Sequence, residues 1–380
     1  WGFDGYVMSD WGAVNQRVDG LKAGLELEMP GGNRANDEKI IKAVQNGELD
    51  ESVLNEACER MLTVLYRYVE QKKDGVVFDR DADHEVARRV ASQCMVLLRN
   101  EENILPLQKE QKVAFIGKFA QAPRYQGGGS SHINSHKVTS ALEAVKEVAT
   151  VTYAQGYDTK EDVTLPDLHD EAVKTAAAAD VAVIFAGLPD AFESEGYDRT
   201  HLNLPNCQNR LIDDICAVQK NVVVVLHNGS PVVMPWKDKV KGILEVYLGG
   251  QAVGGATVDV LYGSVNPSGR LAETFPKKLS DNPSYLYYLG EGDVTEYREG
   301  VYVGYRYYDK KEMDVLYPFG YGLSYTTFAY QGMKASCEEM DGTDTVTVTL
   351  TVKNTGDRAG KRSEERRVGK ECRCRWSPYH

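Results

Sequence analysis

Long apolar runs are missing from this sequence. Its 380 residues contain no stretch of 18 consecutive apolar residues, so no segment has the length of a membrane-spanning helix. Cysteine is sparse, with seven residues and no C-x-x-C spacing, which argues against a zinc ribbon or a disulfide framework. Positive charge is in deficit. Against 56 Asp and Glu stand 44 Lys and Arg, for a net charge of -12, the opposite of the basic face that nucleic acid selects. His84, His132, His136, His169, His201 and His227 do not pair at metal-ligand spacings on any helix. No G-x-S-x-G elbow is present to build a serine triad. The glycine-rich stretch 126–131 lacks the lysine and spacing of a phosphate loop. Repeats and low-complexity segments are absent too. What remains is ordinary globular material, 42% hydrophobic and 26% charged, long enough for two or three domains.

Along the chain, residues 3–9 (Phe3, Tyr6, Val7, Met8) read as a buried strand, 12–23 as a short helix, and 24–30 as a strand stopped by Pro30-Gly31-Gly32. Helices follow at 35–46 and 50–70. In the second of these, Val53, Leu54, Ala57, Met61, Val64, Leu65 and Tyr68 recur at i, i+3, i+4 spacing. This alternation is α/β grammar. A polar stretch, 71–83, links to a helix expected over 84–99. Short apolar runs at 113–117, 181–187, 222–226 and 242–247 fit strands covered on both faces. Helical stretches at 138–148, 170–179, 206–219 and 252–262 separate them, giving a second α/β domain around a mostly parallel sheet. Residues 285–330 hold 12 of the 22 tyrosines. Tyrosine suits an interdomain seam, with a sugar platform as the alternative. Residues 345–353 alternate at period 2, a half-buried strand of an all-β domain that should pair with a following strand.

Both ends depart from these patterns. The chain opens Trp1-Gly2-Phe3, without an initiator Met or a basic and apolar leader, and reads as starting inside a domain. Residues 362–380 have no apolar period, and their composition changes abruptly. The stretch resembles the translation of a sequencing adaptor and reads as non-native; a basic binding tail is the alternative. Setting aside Cys372 and Cys374 leaves Cys58, Cys94, Cys207, Cys216 and Cys337. An odd, scattered set suits a reducing compartment, so the expected location is cytoplasmic.

Two places carry candidate chemistry. Asp10 ends a strand of a β/α unit, where barrel enzymes place catalytic groups. Ser-Asp before a helix is equally a helix cap. Trp11 beside it is suited to stacking on a sugar ring. Asp190, Glu193, Glu195 and Asp198 lie just beyond the apolar run 181–187, at the sheet edge where open α/β folds bind ligands. Taken alone, that segment also reads as a solvated loop. Two carboxylates facing one cleft would suit glycoside hydrolysis.

These residues bring a resemblance into view. Gly2-Phe3-Asp4-Gly5-Tyr6-Val7-Met8-Ser9-Asp10-Trp11 resembles the nucleophile signature of glycoside hydrolase family 3, the β-glucosidase family. Ala23-Gly24-Leu25-Glu26-Leu27-Glu28-Met29-Pro30-Gly31 is similar to its next barrel strand, although the family usually has Asp where Glu26 stands. Glu193-Ser194-Glu195-Gly196-Tyr197-Asp198-Arg199 resembles its acid/base loop. The stretches 91–107, 266–276 and 318–328 resemble further family motifs, in the family's order, so the likeness spans 1–361.

The resemblance implies a remnant of a (β/α)8 barrel over 1–70 and a linker and helix over 71–95. An α/β sandwich domain with a mostly parallel sheet would fill 96–290. A Tyr-rich connector would follow over 291–324, then a partial fibronectin type III-like β-sandwich over 325–361. It implies a retaining β-glucosidase with Asp10 as nucleophile and Glu195 as general acid/base, Glu193 being the reserve. Trp11 and Ser130 would contact the sugar. The raised pKa that a general acid needs would come from burial of Glu195 and a neighbouring charge. No metal or cofactor is implied. The partners would be small β-glucosides or oligosaccharides, not nucleic acid or membrane. β-Xylosidase or arabinosidase activity is the alternative, as is a non-catalytic glycan-binding relative. As it stands, lacking most of the barrel, the chain is expected to be inactive.

Overall fold

The computed structural model describes residues 2–342 and 345–361, so the tail at 362–380 lies outside the described residues. The chain forms two compact units, divided between Phe78 and Asp79.

In the first unit, β1 (Val7–Trp11) and β2 (Leu25–Met29) pair in parallel, with α1 (Arg17–Lys22) between them in sequence. Then come α2 (Arg34–Gln45) and α3 (Glu51–Gln71). Asp50 caps α3 by accepting from the Ser52 N–H at 2.8 Å, which satisfies one of the donors that a helix start leaves open. Leu21, Ala43, Leu49 and Ala57 form a small core. Glu26 of β2 ties the unit together. Its carboxylate accepts from the Val7 N–H at 2.7 Å and from Arg60 of α3 at 2.8 Å. Burial pushes the Glu26 pKa up, but these bonds outweigh it and hold the group below the ordinary range. Two expectations are corrected here. The strand runs over 7–11, not 3–9, and its apolar side chains are not buried: Met8 is 56% and Trp11 70% exposed. β1 pairs only with β2 among the described residues, and the unit's four-residue core does not reach its side chains. Leu65 and Tyr68 of α3 are exposed for the same reason.

The second unit is built on a six-stranded sheet. Its strands are β3 (Val96–Asn100), β4 (Val113–Ile116), β5 (Val151–Ala154), β6 (Val181–Gly187), β7 (Val222–His227) and β8 (Gly242–Glu245), in the spatial order β3-β8-β7-β6-β4-β5. All neighbours are parallel except β3 and β8. Every residue of β6 and β7 is buried, as continuous Val-rich runs require when both faces are covered. The helices are α4 (Arg80–Cys94), the single-turn α5 (Lys118–Gln121) and α6 (Ala141–Ala144), α7 (Pro166–Ala177), α8 (Asn206–Val218) and α9 (Val253–Leu261). α7 packs on α8, and α9 packs on α4 and α6. The helix expected over 84–99 stops at Cys94. Residues 96–100 leave it as a strand because Val96, Leu97 and Leu98 are buried in the ladder against β8.

The direction of winding decides where a site can form. From β4 the chain steps outward to β5, then returns across β4 to β6 and continues to β7 and β8. The order therefore reverses between β4 and β6. Loops leaving the C-terminal ends of these two strands diverge and open a crevice, the position where open parallel sheets bind ligands.

The Tyr-rich region divides into two parts. Tyr317, Tyr321 and Tyr325 pack against the core, and the last two donate to main-chain carbonyls of Leu98 and Val260. Tyr285, Tyr288, Tyr297 and Tyr302 are exposed. Further along are α10 (Tyr305–Lys310) and an antiparallel pair, β9 (Phe328–Ala335) and β10 (Val348–Asn354). The partner of the alternating strand thus precedes it in sequence. Among the described residues no helix is long and apolar enough to cross a membrane.

Candidate active site

The crevice between the ends of β4 and β6 is filled by two loops. After β4 the chain presents Arg124 and then the Gly127-Gly128-Gly129 run. After β6 it presents the acidic segment. Arg124 is 4% exposed at its side chain, and each of its three guanidinium nitrogens donates to the segment after β6. Nε donates to Asp190 at 3.0 Å; one terminal nitrogen donates to the Leu188 carbonyl at 2.8 Å and to Glu193 Oε2 at 2.6 Å; the other donates to the Glu193 carbonyl at 2.7 Å. Glu193 reaches on to the end of β7, accepting from the Gly229 N–H at 2.8 Å and from the Ser230 hydroxyl. Arg199 closes the far end of the segment on Ser230 Oγ and the Pro231 carbonyl, at 2.8 and 2.9 Å.

Glu195 behaves differently. It is exposed, and its Oε2 accepts from the Ser130 N–H. That bond is the main cause holding its carboxyl below the ordinary glutamate range. The rise expected from burial is not observed, because no element of this unit covers the carboxylate and no cation pairs with it among the described residues. A cavity of about 460 Å³ lies over the two loops, lined among others by Gly128, Ser130, Ser131, Glu193, Glu195 and Leu248. Of the four acids, Asp190 and Glu193 bind Arg124, and Asp198 accepts from the Tyr288 hydroxyl at 2.7 Å. Glu195, which also lines the cavity, bonds only Ser130 among the described residues.

The glycine run is a packing requirement. Gly129 has φ +76°, and a methyl group there would meet Glu195 Oε2 at 2.3 Å and its Cβ at 2.5 Å. Gly129→Ala is therefore expected to part the two loops and break the Ser130 contact. The Glu195 carboxyl should then titrate higher, closer to an ordinary glutamate. Carboxyl-carbon NMR against pH checks this, and an unchanged midpoint would count against the contact.

Beneath the loops lie His227 and Glu245, both fully buried. The His227 Nδ1 bonds the Arg124 carbonyl at 3.2 Å, and burial pushes its pKa down to about 4. Burial pushes Glu245 well up, against a 3.0 Å bond from Asn228. The tight turn expected after β7 is held by Asn228 donating to the Ser230 carbonyl at 3.0 Å.

Asp10 and Trp11 belong to the first unit. Asp10 is exposed at the C-terminal end of β1, and its Oδ1 accepts from the Trp11 N–H at 2.5 Å. The cap reading is corrected: α1 begins at Arg17 with Gln16 before it, so Asp10 caps no helix. The second unit brings Ser130, Glu193 and Glu195 together. Arg124 was missed in the sequence. It stands alone in its loop, and its four acceptors become neighbours only through the strand order. Among the described residues, no three His, Cys, Asp or Glu side chains converge for a metal ion.

The model of the glycosyl hydrolase family 3 C-terminal domain matches residues 95–325, which include all six strands of the sheet. The chain belongs to glycosyl hydrolase family 3. Relatives include thermostable beta-glucosidase B of Acetivibrio thermocellus, 53% identical over 365 residues, which cover 95% of this chain and 48% of that protein. The exo-alpha-(1->6)-L-arabinopyranosidase of Bifidobacterium longum is 45% identical over 94% of this chain and 48% of its own length. Among solved structures, a GH3 beta-glucosidase of Bifidobacterium adolescentis superposes with a TM-score of 0.87 at 45% identity, covering 94% of this chain and 52% of that one. Beta-glucosidase 3B of Thermotoga neapolitana, solved with glucose, gives 0.79 at 35% identity over 95% of this chain and 55% of its own. The chain spans about half the length of the curated relatives it matches.

Proposed function

We propose that this chain is part of a retaining exo-glycosidase that releases terminal β-D-glucosyl residues. The observation that carries the reading is Glu195, an acid lining the switch-point crevice that bonds only Ser130 among the described residues and pairs with no cation there, in a family 3 chain. Asp10 supplies the nucleophile. Its carboxylate attacks the anomeric carbon while Glu195 gives its proton to the departing glycosidic oxygen. Water then attacks the glycosyl–Asp10 ester, Glu195 takes the proton back, and Asp10 leaves as carboxylate. Trp11 walls the sugar and Ser130 touches it. For Glu195 to begin as an acid, the Ser130 contact must open and its surroundings must become drier than the second unit alone provides.

The finer architecture belongs to the same proposal. Residues 1–70 are the end of a (β/α)8 barrel, supported by the parallel β1–α1–β2 unit with Asp10 at a strand's C-terminal end. Residues 96–290 form the sandwich domain, reached through the linker and helix at 71–95 and followed by the connector at 291–324. Residues 325–361 begin a fibronectin type III-like module, supported by the antiparallel β9–β10 pair. Activity is assigned to a protein of the relatives' full length, not to this chain by itself. Cytoplasmic location is supported by the five scattered cysteines of the described residues, which are free.

The test is stereochemical. Proton NMR of aryl β-D-glucoside hydrolysis by the full-length protein should show β-glucose first, before mutarotation. Glucose appearing first as the α-anomer, or no turnover, would overturn the proposal. The identity to the arabinopyranosidase favours α-L-arabinopyranosides as a second substrate, and a faster rate on these would reassign the sugar.

A further inference from the structure

We infer that Arg124, acting through Glu193, is a positioning residue for the acid/base Glu195. The inference rests on the proposed role of Glu195 and adds the device that aims it. One guanidinium grips both the main chain and the side chain of Glu193, the residue two before Glu195, at 2.7 and 2.6 Å. It also grips the Leu188 carbonyl where the segment leaves β6. Glu193 is in turn pinned to the end of β7 through Gly229 and Ser230. Arg199 pins the other side of Glu195 to Ser230 and Pro231. The Glu195 backbone is thus fixed on both sides to the loops after β4 and β7, the two neighbours of β6, which leaves the side chain to swing from Ser130 toward a sugar.

The chemistry of the clamp is specific to Arg. A planar fork with five donors serves four acceptors at set angles. A lysine ammonium in this buried place would satisfy fewer and leave the others bare. Glu193 is consumed in the clamp, whereas Glu195, two residues on, bonds only Ser130 among the described residues.

The experiment uses the full-length protein and two aryl β-D-glucosides. Dinitrophenol departs without a proton, whereas phenol needs the acid. Arg124→Lys and Glu193→Gln should each lower kcat/KM for the phenyl substrate by roughly 100-fold, the scale of a misplacement of about 1 Å, and leave the dinitrophenyl substrate near wild type. Glu195→Ala is the reference. If it strikes both substrates alike, the acid/base reading itself fails. If it is selective for the phenyl substrate while both clamp variants lower the two substrates equally, or neither, then the positioning inference is overturned and Arg124 only stabilises the fold.

Discussion

Asp10→Ala should lower aryl β-D-glucoside turnover by the full-length protein by on the order of 10⁴-fold or more, the scale seen when a nucleophile is removed from a site whose other groups stay in place. Added azide should then attack the anomeric carbon from the vacated face and yield α-glucosyl azide. The fold should not change. The Asp10 side chain is exposed and bonds only the adjacent Trp11 N–H among the described residues, so thermal unfolding of the variant should match wild type. Wild-type turnover by Asp10→Ala would remove the nucleophile from the scheme. A β-configured azide product would place the missing group on the leaving side of the sugar.

The second large effect is on stability. His227 sits between Phe119 and Phe185. Its Nδ1–H donates to the Arg124 carbonyl, and its buried Nε2 has no partner among the described residues. Protonating Nε2 would place a charged donor in an apolar core. The folded pKa, about 4, lies below the ordinary histidine value of 6.5, so the unfolded state takes up the proton first as pH falls. The contribution of neutral His227 is fully present above pH 6.5 and is lost between 6.5 and 4, a total of about 3 kcal/mol. Glu245 works in the opposite sense. Its folded pKa is raised, so its contribution is present at low pH and fades as pH rises. The measurement is therefore a difference: urea unfolding at pH 7 and pH 4 for wild type and His227→Asn. The variant should lose about 3 kcal/mol less than wild type across that interval. Equal losses would mean that His227 is hydrated.

The sheet was legible where its chemistry is local. β6 and β7 are unbroken Val-rich runs because both faces are buried, and the acidic segment follows one of them directly, so its place at the sheet edge could be read from order alone. β3 could not. Val96-Leu97-Leu98 follows a helix without a break, and a short apolar run has no period to distinguish strand from helix. Glu195 was found by its neighbours in sequence, yet its environment was misjudged. Whether a carboxylate is buried depends on which elements cover it, and here it meets a main-chain N–H at an open surface. Arg124 was invisible for a related reason. Its partners at 188, 190 and 193 follow β6 and theirs at 229 and 230 follow β7, and the strand order gathers both loops with Arg124's own at one edge.

The antiparallel edge strand has a consequence for synthesis. Val96–Asn100 is made early, but its ladder partner Gly242–Glu245 leaves the ribosome only after every other strand of the sheet. Until then, a nascent chain carries Val96, Leu97 and Leu98 without their cover. Such non-local pairing is slow to form, and the growing polypeptide must be kept from joining its open edge to another's during that wait.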